Sequence, residues 1–235
     1  MSKNFLKSGD SVIVYDDSRT SQISESFFEP AHWGDALRSS GKAGGRGAVL
    51  FVEHEGQQWV LRHYYRGGLP GKLLDDQFFW TGEANTRSFR EWELLRQMYA
   101  EELPVPAPVA ARYVRTGIFY RADLITELIP GVQTFSRWLG GADRPDAVWQ
   151  SVGACISRFH SAGYYHADLN AHNLQIGADS TVYLLDWDRG EQRAPGAWRE
   201  ANLRRLHRSL RKISAKDGVE FATADWEKLL AGYHA

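Results

Sequence analysis

Apolar and polar positions along this chain follow two patterns, and the change between them divides it. Up to about residue 129 short β-branched and aromatic runs dominate. Ser11 to Tyr15, Ala48 to Val52, Gln58 to Arg62, Ala110 to Val114, Ile118 to Tyr120 and Leu124 to Ile129 read as strands, with a turn at Glu55-Gly56 closing a hairpin. Pro30 stands where a helix begins, Ala31 to Ser39 carries it and Gly41 stops it, so these first elements read as accessory to the main sheet. Ser88 to Ala100 has helical spacing, with Phe89, Trp92, Leu95 and Tyr99 on one stripe, and Pro104-Val105-Pro106-Ala107-Pro108 ends it. Between them Arg66 to Arg87 is long for a strand-to-helix connection and carries Phe78-Phe79-Trp80, which pack on the sheet or shape an acceptor site.

After Pro130-Gly131 the helical period takes over. Asp146 to Ser161 predicts a helix ending near Gly163, Leu174 to Ile176 with Thr181 to Leu185 a short hairpin, and Arg199 to Lys212 a helix with Leu203, Leu206, Leu210 and Ile213 on one face. The reading is α+β: residues 1–129 form an antiparallel sheet with one main helix, and residues 130–235 a smaller, mainly helical part.

Composition narrows the class. In 235 residues an apolar content of 43% supports a packed core, and a net charge of −1 removes nucleic acid as the default partner. The single cysteine, Cys155, shares a helical stripe with Val148, Val152 and Phe159, which makes it a core residue. No apolar run approaches the roughly 18 to 20 residues of a membrane span, and Lys3, Lys7 and Asp10 interrupt the N-terminus. A cytoplasmic protein is expected, touching membrane only at its surface. The basic residues of Arg199 to Lys212 are either a solvated face or a patch for an anionic membrane surface, and the nine tryptophans are core packing that permits an interfacial role.

The chemistry is concentrated in His166-Ala167-Asp168-Leu169-Asn170-Ala171-His172-Asn173 and in Leu184-Leu185-Asp186-Trp187-Asp188. A loop Asp, an Asn five residues on, and a second Asp closing an apolar run match the catalytic-loop and metal-binding elements of kinase-like enzymes. In that chemistry Asp168 accepts the proton of an attacking hydroxyl, while Asn173 and Asp186 hold Mg²⁺ on the phosphates of ATP. His166 reads as a neutral imidazole bridging backbone groups, and Asn170 and His172 as turn-shaping or ligand-contacting residues. The glycine loop at Gly44, Gly45 and Gly47 brings backbone N–H groups to nucleotide phosphates, and the backbone from Glu127 to Ile129 offers an edge for adenine.

Two positions depart from the kinase pattern. Arg62 stands for the lysine of a V-A-I-K strand, keeping the charge in a planar fork, and Glu91 rather than Glu93 is its expected partner because Trp92 and Leu95 flank it on the buried stripe. Asp188 stands for the glycine of D-F-G and Trp187 for its phenylalanine.

Taken with Phe28-Glu29-Pro30-Ala31-His32-Trp33, Trp59 through Leu69 and Leu103-Pro104-Val105-Pro106, these motifs resemble the bacterial 3-deoxy-D-manno-octulosonic acid (Kdo) kinases over most of the chain. The resemblance implies a two-lobed protein-kinase-like fold and ATP-dependent phosphorylation of the 4-hydroxyl of Kdo on a lipid A precursor, during lipopolysaccharide core assembly. It also implies a peripheral place on the cytoplasmic face of the inner membrane, Asp168 as the catalytic residue, and Arg62 as a family feature. With 49 residues after Asp186 and no A-P-E signature, a small-molecule or glycolipid acceptor is expected rather than a peptide. Three rivals stay open: a kinase for a heptose or an aminoglycoside-type acceptor, a non-catalytic ATP-binding scaffold suggested by Arg62 and Asp188, and a membrane-docking partner of other enzymes.

Overall fold

The computed structural model describes residues 1–41, 49–66 and 76–235. They cluster into two compact units, residues 1–100 with 106–128, and residues 101–105 with 129–235.

The first unit is an antiparallel sheet with one long helix. In chain order it contains β1 (Asn4–Ser8), β2 (Ser11–Tyr15), α1 (Pro30–Trp33), β3 (Leu37–Gly41), β4 (Val49–His54), β5 (Gln57–His63), β6 (Phe78–Phe79), α2 (Arg87–Ala100), β7 (Pro108–Thr116) and β8 (Phe119–Glu127). The strand order is β1-β2-β7-β8-β5-β4-β3, with β6 added to β8. The first strands are therefore part of the main sheet and not accessory to it: Ser11 to Tyr15 pairs with β7 along its whole length. Helix α1 is only one turn long. The helix was expected to run on to Ser39, but Leu37 to Gly41 pairs with β4, and that tertiary pairing overrides a local helical pattern. The runs at Ile118 to Tyr120 and Leu124 to Ile129 are largely one continuous strand, since Gly117 at φ +61° makes the turn before it.

Burial explains the layers. Phe27, Phe28 and Trp33, from the segment around α1, pack with Ile13, Val52, Trp59, Leu61, Val109 and Ile125 from the strands. Helix α2 buries Phe89, Trp92, Leu95 and Met98. Each fully buried large apolar side chain contributes roughly 1.5 to 3 kcal/mol.

The second unit contains β9 (Gln133–Thr134), α3 (Phe135–Leu139), α4 (Asp146–Ser161), β10 (Tyr164–Tyr165), β11 (Leu174–Ile176), β12 (Val182–Leu184), β13 (Glu191–Gln192), α5 (Trp198–Asp217) and α6 (Thr223–His234). The segment 101–105, expected with the first part of the chain, belongs here. Leu184 N–H donates to Pro104 O at 3.0 Å, and Tyr164 Oη donates to Glu101 at 2.9 Å. Helices α3 and α6 were not expected. Helix α6 lies against α4 through two glycines: a methyl on Gly153 would overlap the Leu229 carbonyl oxygen, and one on Gly232 that of Gln150. Cys155 is buried, donates to Val182 O at 3.4 Å, and burial pushes its pKa up to about 12, which keeps it a protonated core thiol. None of the nine tryptophans is exposed, so packing accounts for them.

Candidate active site

In the second unit the loop between β10 and β11 is built around His166. Its Nδ1 accepts the Asp168 N–H at 3.1 Å and its Nε2 donates to Leu185 O at 2.9 Å, which fixes the proton on Nε2. The ring is buried, and burial lowers its pKa, so the imidazole is neutral and structural. Asn170 closes the turn: its Oδ1 accepts the N–H groups of His172 and Asn173, and its Nδ2 reaches Asp168 O at 3.0 Å and Asp168 Oδ2 at 3.2 Å. His172 turns aside to Ser136 Oγ at 2.9 Å.

Asn173 and Asp186 are brought together by the β11–β12 hairpin. The pairing of Leu174 with Leu184 puts Asn173 opposite Leu185, whose N–H donates to Asn173 O at 2.9 Å, one residue before Asp186. The Asn173 Nδ2 donates to Asp168 O at 3.0 Å, which leaves the amide oxygen as the atom of that side chain able to hold a metal ion. Asp186 lies at φ +62° and Arg189 at φ +65°, a left-handed excursion that aspartate tolerates better than most residues. Trp187 anchors the turn as the aromatic of D-F-G would. It is 1% exposed, its Nε1 donates to Leu184 O at 2.9 Å, and its ring meets Phe159 and His166.

Asp168 itself is half-exposed and takes a hydrogen-bonded ion pair from Arg205 Nη1 of α5 at 3.1 Å. Helix α5 braces the loop twice more, through Asn202 Nδ2 to His166 O at 2.9 Å and Ser209 Oγ accepting the Ala171 N–H at 3.3 Å. These three positions, spaced i, i+3 and i+7, were missed in the sequence, where only the buried polar Asn202 beside Leu203 hints at them.

In the first unit Arg62 on β5 pairs with the buried Glu91 on α2, and Tyr64 completes the group. The Tyr64 hydroxyl donates to Glu91 Oε2 at 2.6 Å and accepts from Arg62 at 3.1 Å. Glu93 points elsewhere, to Lys3 at 2.9 Å and Arg96 at 2.6 Å. His63, on the opposite face of β5, forms a charge network the sequence did not reveal. Its Nδ1 meets Asp123 at 2.6 Å, its Nε2 meets Asp76 at 3.3 Å, and Arg112 Nε holds the other Asp123 oxygen at 2.9 Å.

The Glu127 and Leu128 N–H groups are committed to Ala107 O at 2.9 Å and Gln58 O at 2.8 Å, and the Glu127 carboxylate pairs with Arg19. The register with β5 turns the Glu127 carbonyl away from that strand. Ile129 is where the chain enters the second unit. Gly44, Gly45 and Gly47 lie outside the described residues.

A fixed neutral histidine, a loop aspartate with an asparagine five residues on, and an aspartate at a hairpin end are the pattern expected of a kinase-type site. A sequence profile of the lipopolysaccharide kinase (Kdo/WaaP) family matches residues 31–233, and the chain belongs to that family. It is 43% identical over 226 residues to a 3-deoxy-D-manno-octulosonic acid kinase of Stenotrophomonas maltophilia, covering 96% of this chain and 90% of that one. Proteins of the same name from Xanthomonas oryzae pv. oryzae and Xanthomonas campestris pv. campestris are 42% identical over the same shares.

Proposed function

We propose that this chain is a two-lobed, protein-kinase-like enzyme that transfers the γ-phosphoryl group of ATP to the 4-hydroxyl of a Kdo sugar on a lipid A precursor. The observation that carries the reading is the closed loop in which Asp168, Asn173 and Asp186 are tied together through His166 and Leu185. Asp168 takes the proton as the acceptor O–H bond breaks, the new O–P bond forms, and the bond from the γ-phosphorus to the β–γ bridging oxygen breaks to release ADP. The backbone contacts to His166 and Asn173 hold Asp168 in place, so positioning is prepared before the acceptor arrives.

The donor set fits Mg²⁺. Asn173 with Asp186 offers two hard oxygen ligands at one end of the β11–β12 hairpin. That is the sparse protein contribution expected where phosphates and water complete the shell. Bound there, Mg²⁺ would neutralise charge on the phosphates. Arg62, held by Glu91 and Tyr64, offers its fork to phosphate, and the Glu127 carbonyl and Ile129 backbone offer an edge to adenine. The glycine loop at Gly44, Gly45 and Gly47 would cover the phosphates.

No described helix is long and apolar enough to cross a membrane. Arg204, Arg208, Arg211 and Lys212 are exposed on α5, a basic face suited to peripheral binding on the cytoplasmic side of the inner membrane. The test is label transfer from γ-labelled ATP with Mg²⁺ to Kdo-bearing lipid A precursor, against the same lipid without Kdo. Kdo-dependent labelling is expected; ATP binding without it would leave a scaffold or another acceptor.

A further inference from the structure

Arg205 raises a chemical question that the phosphotransfer reading leaves open. It reaches the loop base from helix α5, 3.1 Å from Asp168 Oδ1, with the Arg205 side chain 44% exposed and that of Asp168 53%. Both partners are open to solvent, so a ligand can share this contact without a large desolvation cost. Among the described residues Asp168 is the one carboxylate it meets, through Nη1. A guanidinium carries five N–H donors in a planar fork, so one contact leaves most of that capacity. The loop does not depend on it alone, since Asn202, Ser209 and His166 tie it as well.

An acceptor that is itself an acid resolves this. We infer that Arg205 binds the carboxylate of the acceptor sugar beside the base, and so selects a sugar acid over a neutral sugar. The inference rests on the Kdo kinase reading. In a 3-deoxy-octulosonic acid the carboxyl carbon and carbon 4 are three bonds apart, so the two functional groups lie roughly 4 to 6 Å from each other. That span lets one guanidinium contact Asp168 on one edge and the acceptor carboxylate on another, with the 4-hydroxyl within hydrogen-bond reach of Asp168. The charges also balance through the step: as the proton passes to Asp168, the acceptor carboxylate remains as the partner of Arg205. Arginine suits this better than lysine because its fork engages two carboxylates in fixed geometry.

The experiment compares Kdo-bearing precursor with the same precursor whose Kdo carboxylate is converted to an amide, using wild type, Arg205→Ala and Arg205→Lys. Wild type is expected to favour the acid in kcat/KM by roughly 30-fold or more. Arg205→Ala should discriminate by only about threefold, losing acid recognition mainly in KM, with the KM for ATP unchanged. Arg205→Lys should restore part of the preference, since it keeps charge without the fork. An acid preference in Arg205→Ala equal to that of wild type overturns the inference. So does an equal fall of kcat on both acceptors, which would place Arg205 on the phosphoryl group or in the loop. Wild type that labels neither precursor refutes the kinase reading itself and the inference with it, a result distinct from undiminished selectivity in the variant.

Discussion

Arg62–Glu91 in the first unit and Arg205–Asp168 in the second are both arginine–carboxylate pairs at candidate site residues, and burial makes them different devices. In Arg62–Glu91 the carboxylate side chain is 3% exposed and also bonded to the buried Tyr64 hydroxyl. Removing one partner would strand a desolvated group, so this pair is a fixed support. In Arg205–Asp168 both side chains are about half exposed. Such pairs contribute about 0 to 1 kcal/mol, so water or a ligand can open this one at little cost. The same two functional groups give a strut in one place and an exchangeable contact in the other.

The sharpest way to separate them is to remove charge from each carboxylate and read activity and stability together. Asp168→Asn is expected to lower turnover roughly 10²- to 10⁴-fold, the range for losing a general base. Its unfolding free energy in urea should stay within about 0.5 kcal/mol of wild type, because the site is exposed. Unchanged turnover would remove Asp168 from its role, and a large destabilisation would erase the distinction between the pairs. Glu91→Ala should instead be read in stability, with a loss of about 3 kcal/mol as Arg62 and Tyr64 lose this buried carboxylate. A loss below about 1 kcal/mol would class this pair with the exposed one.

How much of this was legible in the sequence follows from the range of the signals. Asp168, Asn173 and Asp186 were legible because their spacing is local and a hairpin with Leu174 opposite Leu184 brings the last of them back. Glu91 could be preferred to Glu93 because the flanking Trp92 marks the buried stripe. The α5 face was not legible. Periodicity announces a helix with one buried side, but not which of its several arginines turns toward a loop far away in the chain. Helix α6 carries a legible pattern, Trp226, Leu229, Leu230 and Tyr233 at i, i+3, i+4 and i+7; what the pattern does not show is its packing on α4, where Gly153 and Gly232 let the backbones approach. Leu37 to Gly41 is a strand only because β4 is available to pair with it.

Asn202 tests the brace behind the exposed pair. It is 1% exposed and its Nδ2 donates to His166 O. Asn202→Ala is expected to cost about 1 to 2 kcal/mol, the penalty for leaving buried polar groups unpaired, and to lower kcat by loosening the loop while the KM for ATP holds. Urea unfolding and steady-state kinetics on one preparation would check both. Full activity would show that the loop is positioned without Asn202.

The units also differ in how a histidine of each responds to acid. His160 sits between Tyr233 Oη at 2.8 Å and Asn202 Oδ1 at 3.4 Å, and burial, only partly offset by the Asn202 bond, pulls its pKa down to about 4. As pH falls from 6.5 toward 4 the unfolded chain takes a proton that the fold refuses, so stability is lost, at up to about 1.4 kcal/mol per pH unit. His166, also depressed by burial, adds to the same limb. His63 in the first unit runs the other way. Burial lowers its pKa, but the Asp123 bond and the charges of Asp123 and Asp76 outweigh that and raise it above 6.5. Its contribution is therefore complete below pH 6.5 and is lost as pH rises through the folded value. Unfolding midpoints across pH for wild type, His160→Gln and His63→Gln separate the two. His160→Gln should flatten the acid limb and His63→Gln the alkaline one; an acid limb unchanged in His160→Gln would mean that this ring carries its proton inside the fold.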